Sequence, residues 1–378
     1  MIDYLVIASS FNRFAGPNNH LRDLCNHLYR AENLRLAVVT HVGPIEAAFL
    51  RTIRFPLCRI LKGPGSTYGV RLATFPINIA IIRRYVKLSG IEPNNILVNA
   101  SVDTLFETSL AVGKKIAVGY NVFPNGPSLV DLDRLARVAN FTSINRIVAH
   151  TFLQKNTYKK LGIDPQKIAV VPSCIDVSKV RNSAQRHEAE HDRKRISRPI
   201  VFYAGRLVRE KGIRELITCC KRVSSRVAVD LSIVGDGPLR GLVMEEQKRL
   251  RENSKHINIL YEPGWQPQDV VLSRMVESDL VVLPSYSEMF PRVLLEAMSL
   301  SKAILSTLMG GPQEMIEDGI SGYLFDPHDA AAFENALLEL VSNPSLRQSL
   351  GRAAYDRVSS MYDVSVVGRK FRQFLASS

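Results

Sequence analysis

Short apolar runs alternate with helix-forming stretches along this 378-residue chain, and the alternation breaks off and restarts on either side of one polar segment. Strand-like runs at Tyr4–Ala8, Arg35–Thr40, Ile96–Asn99, Ile116–Tyr120, Arg146–Ala149 and Ile168–Val171 come before it, with helical stretches such as Leu21–Arg30 between them. Ile200–Tyr203, Asp230–Val234, Ile257–Tyr261, Leu280–Leu283 and Ala303–Ser306 come after it. Strands separated by helices pair in parallel, because a parallel neighbour is reached only through a crossover. The pattern therefore predicts the α/β class, with two doubly wound domains facing each other across a cleft. The interruption, Ser178–Arg198, is polar throughout and lacks an apolar period, so it reads as an exposed charged linker or a short surface helix. The expected organisation is 1–177, a linker over 178–198, a second domain over 199–360, and a terminal helical stretch over 361–378.

Charge is distributed as unevenly as polarity. Residues 1–177 carry 21 Lys and Arg against 11 Asp and Glu, whereas residues 199–378 carry 21 against 22. No acid occurs between residues 47 and 91, where Arg51, Arg54, Arg59, Lys62, Arg71, Arg83, Arg84 and Lys87 stand among Phe and Ile side chains. Such a stretch suits an anionic surface, and equally suits the solvated face of helices in a basic protein. No zinc-finger, helix-turn-helix or aromatic ribonucleoprotein pattern accompanies the charge, so nucleic acid is not expected. The five cysteines are odd in number and show no Cys-x-x-Cys spacing, which argues against a disulfide framework or a zinc site and for a reducing compartment. The chain opens on an apolar strand without a basic leader, and its longest apolar stretch, near Leu72–Ile82, contains Pro76 and Asn78. Neither an export signal nor a membrane-spanning helix is expected.

The chemistry gathers where second-half strands end. Ile200–Tyr203 runs into Gly205-Arg206-x4-Lys211-Gly212 before a helix starts near Ile213, so two cations hang over a strand's carboxyl end. Fixed cations there suit a diphosphate and the charge that grows on it as a leaving group, although charged loops are often merely solvated. Val234-Gly235-Asp236-Gly237-Pro238 and Tyr261-Glu262-Pro263-Gly264-Trp265 follow the next two strands, with glycines that let backbone approach a ligand. Glu288 and Glu296 lie eight positions apart across the loop after Leu280–Leu283 and the helix it opens. Gly310-Gly311-x2-Glu314 follows the last strand, and Asp318–Pro327 reads as a turn with a short hairpin-like segment.

These elements over about residues 199–330 resemble the donor domain of glycosyltransferase family 4, whose fold is GT-B: two Rossmann-like domains across a cleft. In the first half, Ile168-Ala169-Val170-Val171-Pro172-Ser173-Cys174-Ile175-Asp176 resembles the family segment usually written Asn-Gly-Val-Asp, with Ser173 and Cys174 as departures, and Gly16-Pro17-Asn18-Asn19-His20 occupies the place of its glycine-rich first loop. The resemblance implies a retaining, metal-independent transfer from a nucleotide-diphosphate sugar in cell-surface glycan or glycolipid synthesis, without a cofactor. A nucleotide-sugar epimerase, a phosphorylase or a silent sugar-nucleotide binding module on the same fold is the alternative. It implies that Arg206 and Lys211 hold the diphosphate, that Glu288 contacts the donor sugar, where capping the following helix is its other reading, and that Glu296 accepts from the ribose hydroxyls. Gly16, Gly205, Gly235, Gly237, Gly264, Phe290, Arg292 and Val293 complete the implied donor-binding set. Pro291 stands where the family often has glycine, so N–H donation to phosphate falls to Arg292 and Val293.

On the acceptor side the family's usual histidine is missing after Ile116–Tyr120, which leaves His20, Tyr120 and Asn121 as candidates. The acceptor implied is a sugar, lipid-linked or phosphorylated, and residues 47–91 fit either an anionic membrane surface or such an acidic acceptor. A cytoplasmic protein, peripheral on the inner membrane face, is the corresponding location. Asp131-x-Asp133 has metal-pair spacing but reads as the start of a helix, where acids favour the dipole, and His150 reads as a local structural residue. The terminal segment Val364–Leu375 is amphipathic at helical spacing and, by the resemblance, returns to the first domain.

Overall fold

A computed structural model describes residues 4–8, 16–31, 36–41, 57–60, 83–84, 96–99, 115–120, 143–190 and 198–376. The strands are β1 (Tyr4–Ala8), β2 (Leu36–His41), β3 (Leu57–Ile60), β4 (Ile96–Asn99), β5 (Lys115–Tyr120), β6 (Ser143–Ala149), β7 (Ile168–Val170), β8 (Ile200–Ala204), β9 (Val229–Val234), β10 (Ile257–Tyr261), β11 (Leu280–Leu283), β12 (Ala303–Thr307) and β13 (Tyr323–Phe325). The helices are α1 (Gly16–Ala31), α2 (Phe152–Lys160), α3 (Val177–Glu190), α4 (Ile213–Val223), α5 (Arg240–Asn253), α6 (Gln268–Glu277), α7 (Arg292–Ser299), the single turn α8 (Pro312–Met315), α9 (Ala330–Ser342), α10 (Pro344–Met361) and α11 (Val364–Ala376). The chain forms two compact units, Met1–Cys174 with Val364–Ser378, and Ile175–Asp363.

The first unit holds a seven-stranded sheet in the order β3-β2-β1-β4-β5-β6-β7, parallel throughout. The order reverses between β1 and β4, the kind of switch point beyond whose strand ends open sheets bind ligands. Helix α11 packs on α1, burying Val367, Phe371 and Leu375 on one side and Leu24, Cys25 and Leu28 on the other. Gly368 keeps that contact close, since a Cβ there would press on the His27 ring. Strand β3 falls inside the acid-free stretch and is a strand the sequence reading did not identify.

The second unit holds a six-stranded parallel sheet, β10-β9-β8-β11-β12-β13, with its switch between β8 and β11. Val201, Phe202, Tyr203, Leu231, Ile233, Val281, Val282, Ile304 and Leu305 are buried, giving the near-continuous apolar strands of a sheet covered on both faces. Helix α4 adds Ile213, Leu216, Ile217, Cys220 and Val223, the stripe expected of a helix lying on such a sheet.

Two expectations need correction. Of the two readings of residues 178–198, the helix holds over 178–190 and the exposed linker does not: α3 starts at Val177, buries Val177, Val180 and Ala184, and packs on α6 and α7 of the second unit. Three small apolar residues at helical spacing suffice to dock it, and its polar majority conceals them in the sequence. The segment after Asp318 is not a hairpin either. The Gly319 N–H bonds the Gly322 carbonyl to close a turn, and β13 then pairs parallel to β12. Among the described residues no helix is long and apolar enough to cross a membrane.

Candidate functional site

The loop after β8 is built from beneath. Tyr203, fully buried, donates its hydroxyl to the Arg206 carbonyl at 2.9 Å. Burial, and next the Glu288 carboxylate, push its phenol well above the ordinary range, so it remains a neutral donor. The Gly205 N–H bonds the Val234 carbonyl and the Leu207 N–H the Asp236 carbonyl, which joins this loop to the one after β9. Gly235 and Gly237 belong to that seam: both have positive φ, and a Cβ on either would strike backbone of Gly205 or Leu207. Gly264 is bridged to Gly235 and carries the contact on to the loop after β10. Three neighbouring strand ends thus share one backbone-lined rim, where small residues keep the main chain accessible.

A second seam joins the β8 loop to the loop after β11. Gly212 adopts φ 68°, and a Cβ there would run into the Pro284 carbonyl oxygen. The Tyr286 N–H bonds the Glu210 carbonyl at 2.9 Å. Between these contacts the Lys211 Nζ lies 2.6 Å from Glu288 Oε1, with side-chain exposures of 16% and 11%, so the pair is largely withdrawn from water. Ser285, buried, donates its hydroxyl to the same carboxylate oxygen at 2.8 Å, and the Thr307 hydroxyl holds the Ser285 carbonyl at 2.6 Å. Arg206 stands apart: it is about half exposed and lies 3.6 Å from the Glu210 carboxylate.

Helix α7 begins after Pro291, which stands at its N-cap with φ −70° and contributes no side-chain bond, and the start of a helix presents N–H groups and the positive end of its dipole. Glu296, one turn on, is buried and accepts at Oε1 from Gln268 Nε2 at 2.8 Å and from Arg292 Nε at 3.2 Å. Phe290 is partly buried and meets the Tyr362 ring edge-on, at 5.4 Å between centroids. The Gly310-Gly311 turn closes the arrangement from the β12 side. The Gly311 N–H bonds the Glu288 carbonyl, and side chains at either glycine would collide with the Glu288 or Met289 carbonyl.

The structure thus brings Gly205, Lys211, Gly235, Gly237, Gly264, Glu288 and Phe290 onto joined loops, with Arg292, Val293 and Glu296 on the helix they open. Gly16 is the first residue of α1 rather than part of a loop, because that helix starts five residues before the expected Leu21. His20 lies in α1 and Tyr120 ends β5. Asn121 and Asp131-x-Asp133 lie outside the described residues, as does most of 47–91. His150 is buried, with Nδ1 2.9 Å from the Val171 carbonyl and its N–H on Gln154, as a structural residue would be. Four contributors escaped the sequence reading: Tyr203, Ser285, Gln268 and Tyr362. The first two sit within three residues of a motif and were open to inspection; the other two reach the site only through tertiary packing.

Residues 186–357 match the family described as glycosyl transferases group 1. The chain is 29% identical over 172 residues to the alpha-D-kanosaminyltransferase of Streptomyces kanamyceticus, covering 45% of this chain and 44% of that protein. It is 31% identical over 180 residues to the lipopolysaccharide 1,2-N-acetylglucosaminetransferase of Salmonella typhimurium, covering 46% and 47%. These matches span about half the length of the relatives. Anabaena HepE, solved in complex with UDP and glucose, is similar over the whole of both chains with a TM-score of 0.78 at 18% identity, a likeness of fold. Strand-end loops, parallel sheets and the solved neighbour agree that the fold is GT-B, and residues 186–357 are similar to the glycosyl transferases group 1.

Proposed function

We propose that this protein is a retaining glycosyltransferase that moves a sugar from a nucleotide-diphosphate sugar to an acceptor hydroxyl, in cell-surface glycan or glycolipid synthesis. The observation that carries the reading is the Lys211–Glu288 pair, set at 2.6 Å between a loop whose Gly212 admits no side chain and a loop against which the Gly310-Gly311 turn is tightly packed. A cation held there by a carboxylate stands ready for a diphosphate, and the Arg206 guanidinium on the same loop is exposed enough to join it. Glu296, on the first turns of α7, has the chemistry to accept from a ribose diol, and Arg292 and Val293 are the amides proposed to donate to phosphate at a helix start that favours anions.

In this reading the bond between the anomeric carbon and the diphosphate oxygen breaks as the acceptor oxygen bonds the same face of that carbon. The acceptor proton passes to a diphosphate oxygen, and nucleoside diphosphate leaves. Lys211 and Arg206 stabilise the charge growing on the leaving group, which lets the step proceed without a bound metal. Glu288 orients the sugar hydroxyls. Gly16, His20, Tyr120 and Asn121 are the residues proposed for the acceptor side, with residues 47–91 as a basic surface for an anionic membrane or a phosphorylated acceptor at the inner membrane face.

A panel of nucleotide-diphosphate sugars in a thermal-shift measurement, followed by product analysis with a glycan or lipid acceptor mixture, tests this. One donor is expected to raise the melting temperature, since ligand at 100 times its Kd stabilises by about 2.7 kcal/mol. Its product is expected to keep the donor's anomeric configuration. No shift with any donor refutes the site; inversion refutes the mechanism; sugar interconversion without an acceptor, or dependence on free phosphate, assigns the fold to an epimerase or a phosphorylase.

A further inference from the structure

The Gly310-Gly311 turn presses on the Glu288 loop from one side, and the other end of the same element is held by residues outside every motif. Helix α8 is a single turn, too short to fix its own direction. Its carboxyl end offers the Glu314 and Met315 carbonyls. Arg357, near the end of α10, donates from Nε to the Met315 carbonyl at 2.7 Å and from Nη2 to the Glu314 carbonyl at 3.1 Å. The Tyr362 hydroxyl donates to the same Glu314 carbonyl at 3.0 Å. A planar guanidinium that spans two adjacent carbonyls fixes the axis of the turn, which a single flexible ammonium does not. The turn is therefore a strut, clamped at one end by Arg357 and Tyr362 and bearing at the other on the Glu288 and Met289 carbonyls.

Tyr362 does more than hold the strut. Its ring packs edge-on against Phe290, the residue before Pro291 and α7. Its carbonyl accepts the Ile175 N–H at 3.0 Å, and next to it the Asp363 carboxylate accepts the Val177 N–H at 3.2 Å. Ile175 and Asp363 are the first and last residues of the second unit, so the two places where the chain enters and leaves it are tied together at the residue that also braces Phe290 and α8. Tyr362 is 3% exposed, and Arg357 also forms an ion pair with the exposed Glu317 at 3.4 Å.

Resting on the nucleotide-sugar reading of the site, we infer that Arg357 and Tyr362 are positioning residues for donor binding: through α8 and Phe290 they set where the Glu288 loop and the start of α7 stand. Neither touches the donor. Loss of the clamp lets the Gly310-Gly311 turn drift from the Glu288 carbonyl and weakens the grip on the diphosphate, while Lys211 and Glu288 keep their chemistry.

The test compares Tyr362→Phe, Arg357→Lys and Glu317→Gln in the full chain, using calorimetry with the nucleoside diphosphate that the wild type binds best among UDP, GDP, ADP and dTDP, and steady-state kinetics with its sugar. Tyr362→Phe keeps the ring on Phe290 and removes one donor; Arg357→Lys keeps the charge beside Glu317 but spans one carbonyl; Glu317→Gln removes the ion pair and leaves both carbonyl bonds. The expected result is a five- to twentyfold rise in Kd and in donor KM for the first two, a smaller change in kcat, and values within twofold of wild type for Glu317→Gln. Tyr362→Phe decides the matter if Arg357→Lys fails to fold. Unchanged Kd and KM in Tyr362→Phe, or an equal effect of Glu317→Gln and Arg357→Lys, overturns the inference while leaving the site intact. A wild type that binds none of the four diphosphates overturns the site reading and this inference with it.

Discussion

The two sheets are wound alike and equipped differently. In the second unit, four of the strand-end loops are bonded into one another: β8 to β9 through Gly205 and Leu207, β8 to β11 through Glu210 and Tyr286, β12 to β11 through Gly311 and Glu288. In the first unit the candidate residues lie on separate elements, Gly16 and His20 in α1 and Tyr120 at the end of β5, and that half carries the net positive charge. A loop network fixed by backbone bonds suits a ligand whose invariant part is a diphosphate, because main-chain geometry and a few cations recognise it whatever sugar it bears. Diffuse charge suits a partner that differs from one protein to the next. Similar topology therefore carries a bonded loop network in one half and an excess of positive charge in the other, and that contrast can be broken experimentally.

The largest effect is expected at the buried pair. Lys211→Met and Glu288→Gln should each lower kcat/KM by about 10³-fold, the scale of losing one preorganised electrostatic contact to a transition state. Lys211→Met leaves Glu288 facing only Ser285 among the partners described for its Oε1, so some stability is lost as well; Glu288→Gln keeps the shape and should melt close to wild type. Retention of more than a tenth of the activity in both variants would mean that the network is scaffold alone.

Much of this was legible beforehand, for a physical reason. A parallel strand buried on both faces must be an uninterrupted apolar run, and a loop that admits backbone to a ligand must spend glycine, so both leave dense marks in the sequence. Leu280–Leu283 and Gly310-Gly311 are visible for that reason. The buried face of helix α3 was not, because four apolar residues among fourteen, three of them buried, fall below any period that can be read without knowing which surface receives them. Gln268 and Tyr362 were not legible either, since each meets its partner across 28 or more positions of chain. The direction of β13 was misread because a glycine turn is equally compatible with a hairpin and with a loop that returns parallel.

Glycine replacement sharpens the contrast next. Gly212→Ala must overcome both a left-handed backbone and the Pro284 carbonyl, and should destabilise the second unit by about 3 kcal/mol or more with loss of donor binding. Gly319→Ala has φ 75° and nothing within 4 Å of the added carbon, so only the backbone term remains, about 1–2 kcal/mol, with donor binding kept. Urea titration separates the two. Equal losses would mean that the close approach between the β8 and β11 loops is looser than the geometry implies.

The first unit offers a stability measurement instead. Burial lowers the His150 imidazole from 6.5 to about 4, against the smaller upward pull of its hydrogen bond to the Val171 carbonyl. The folded value is depressed, so the neutral ring favours the native state, and its contribution is complete above pH 6.5 and lost as pH falls through the window down to about 4. The loss is on the order of 3 kcal/mol. His150→Gln should flatten the acid limb of the stability curve in that window. An unchanged limb would place the acid sensitivity elsewhere.

The smallest effect concerns the charge itself. Arg84, exposed in the acid-free stretch, is expected to contribute about 1 kcal/mol to binding an anionic membrane, so Arg84→Gln should weaken binding to phosphatidylserine vesicles by about fivefold at low salt. Lys248, equally exposed but in the half without excess charge, serves as the control: Lys248→Gln should change binding by less than twofold. Raising the salt to about 0.5 M should erase the difference, because surface charges are then screened within a few ångströms. If both variants bind alike, the basic half is not oriented toward lipid, and its charge is left to a phosphorylated acceptor, for which competition by a soluble sugar phosphate against transfer is the corresponding measurement.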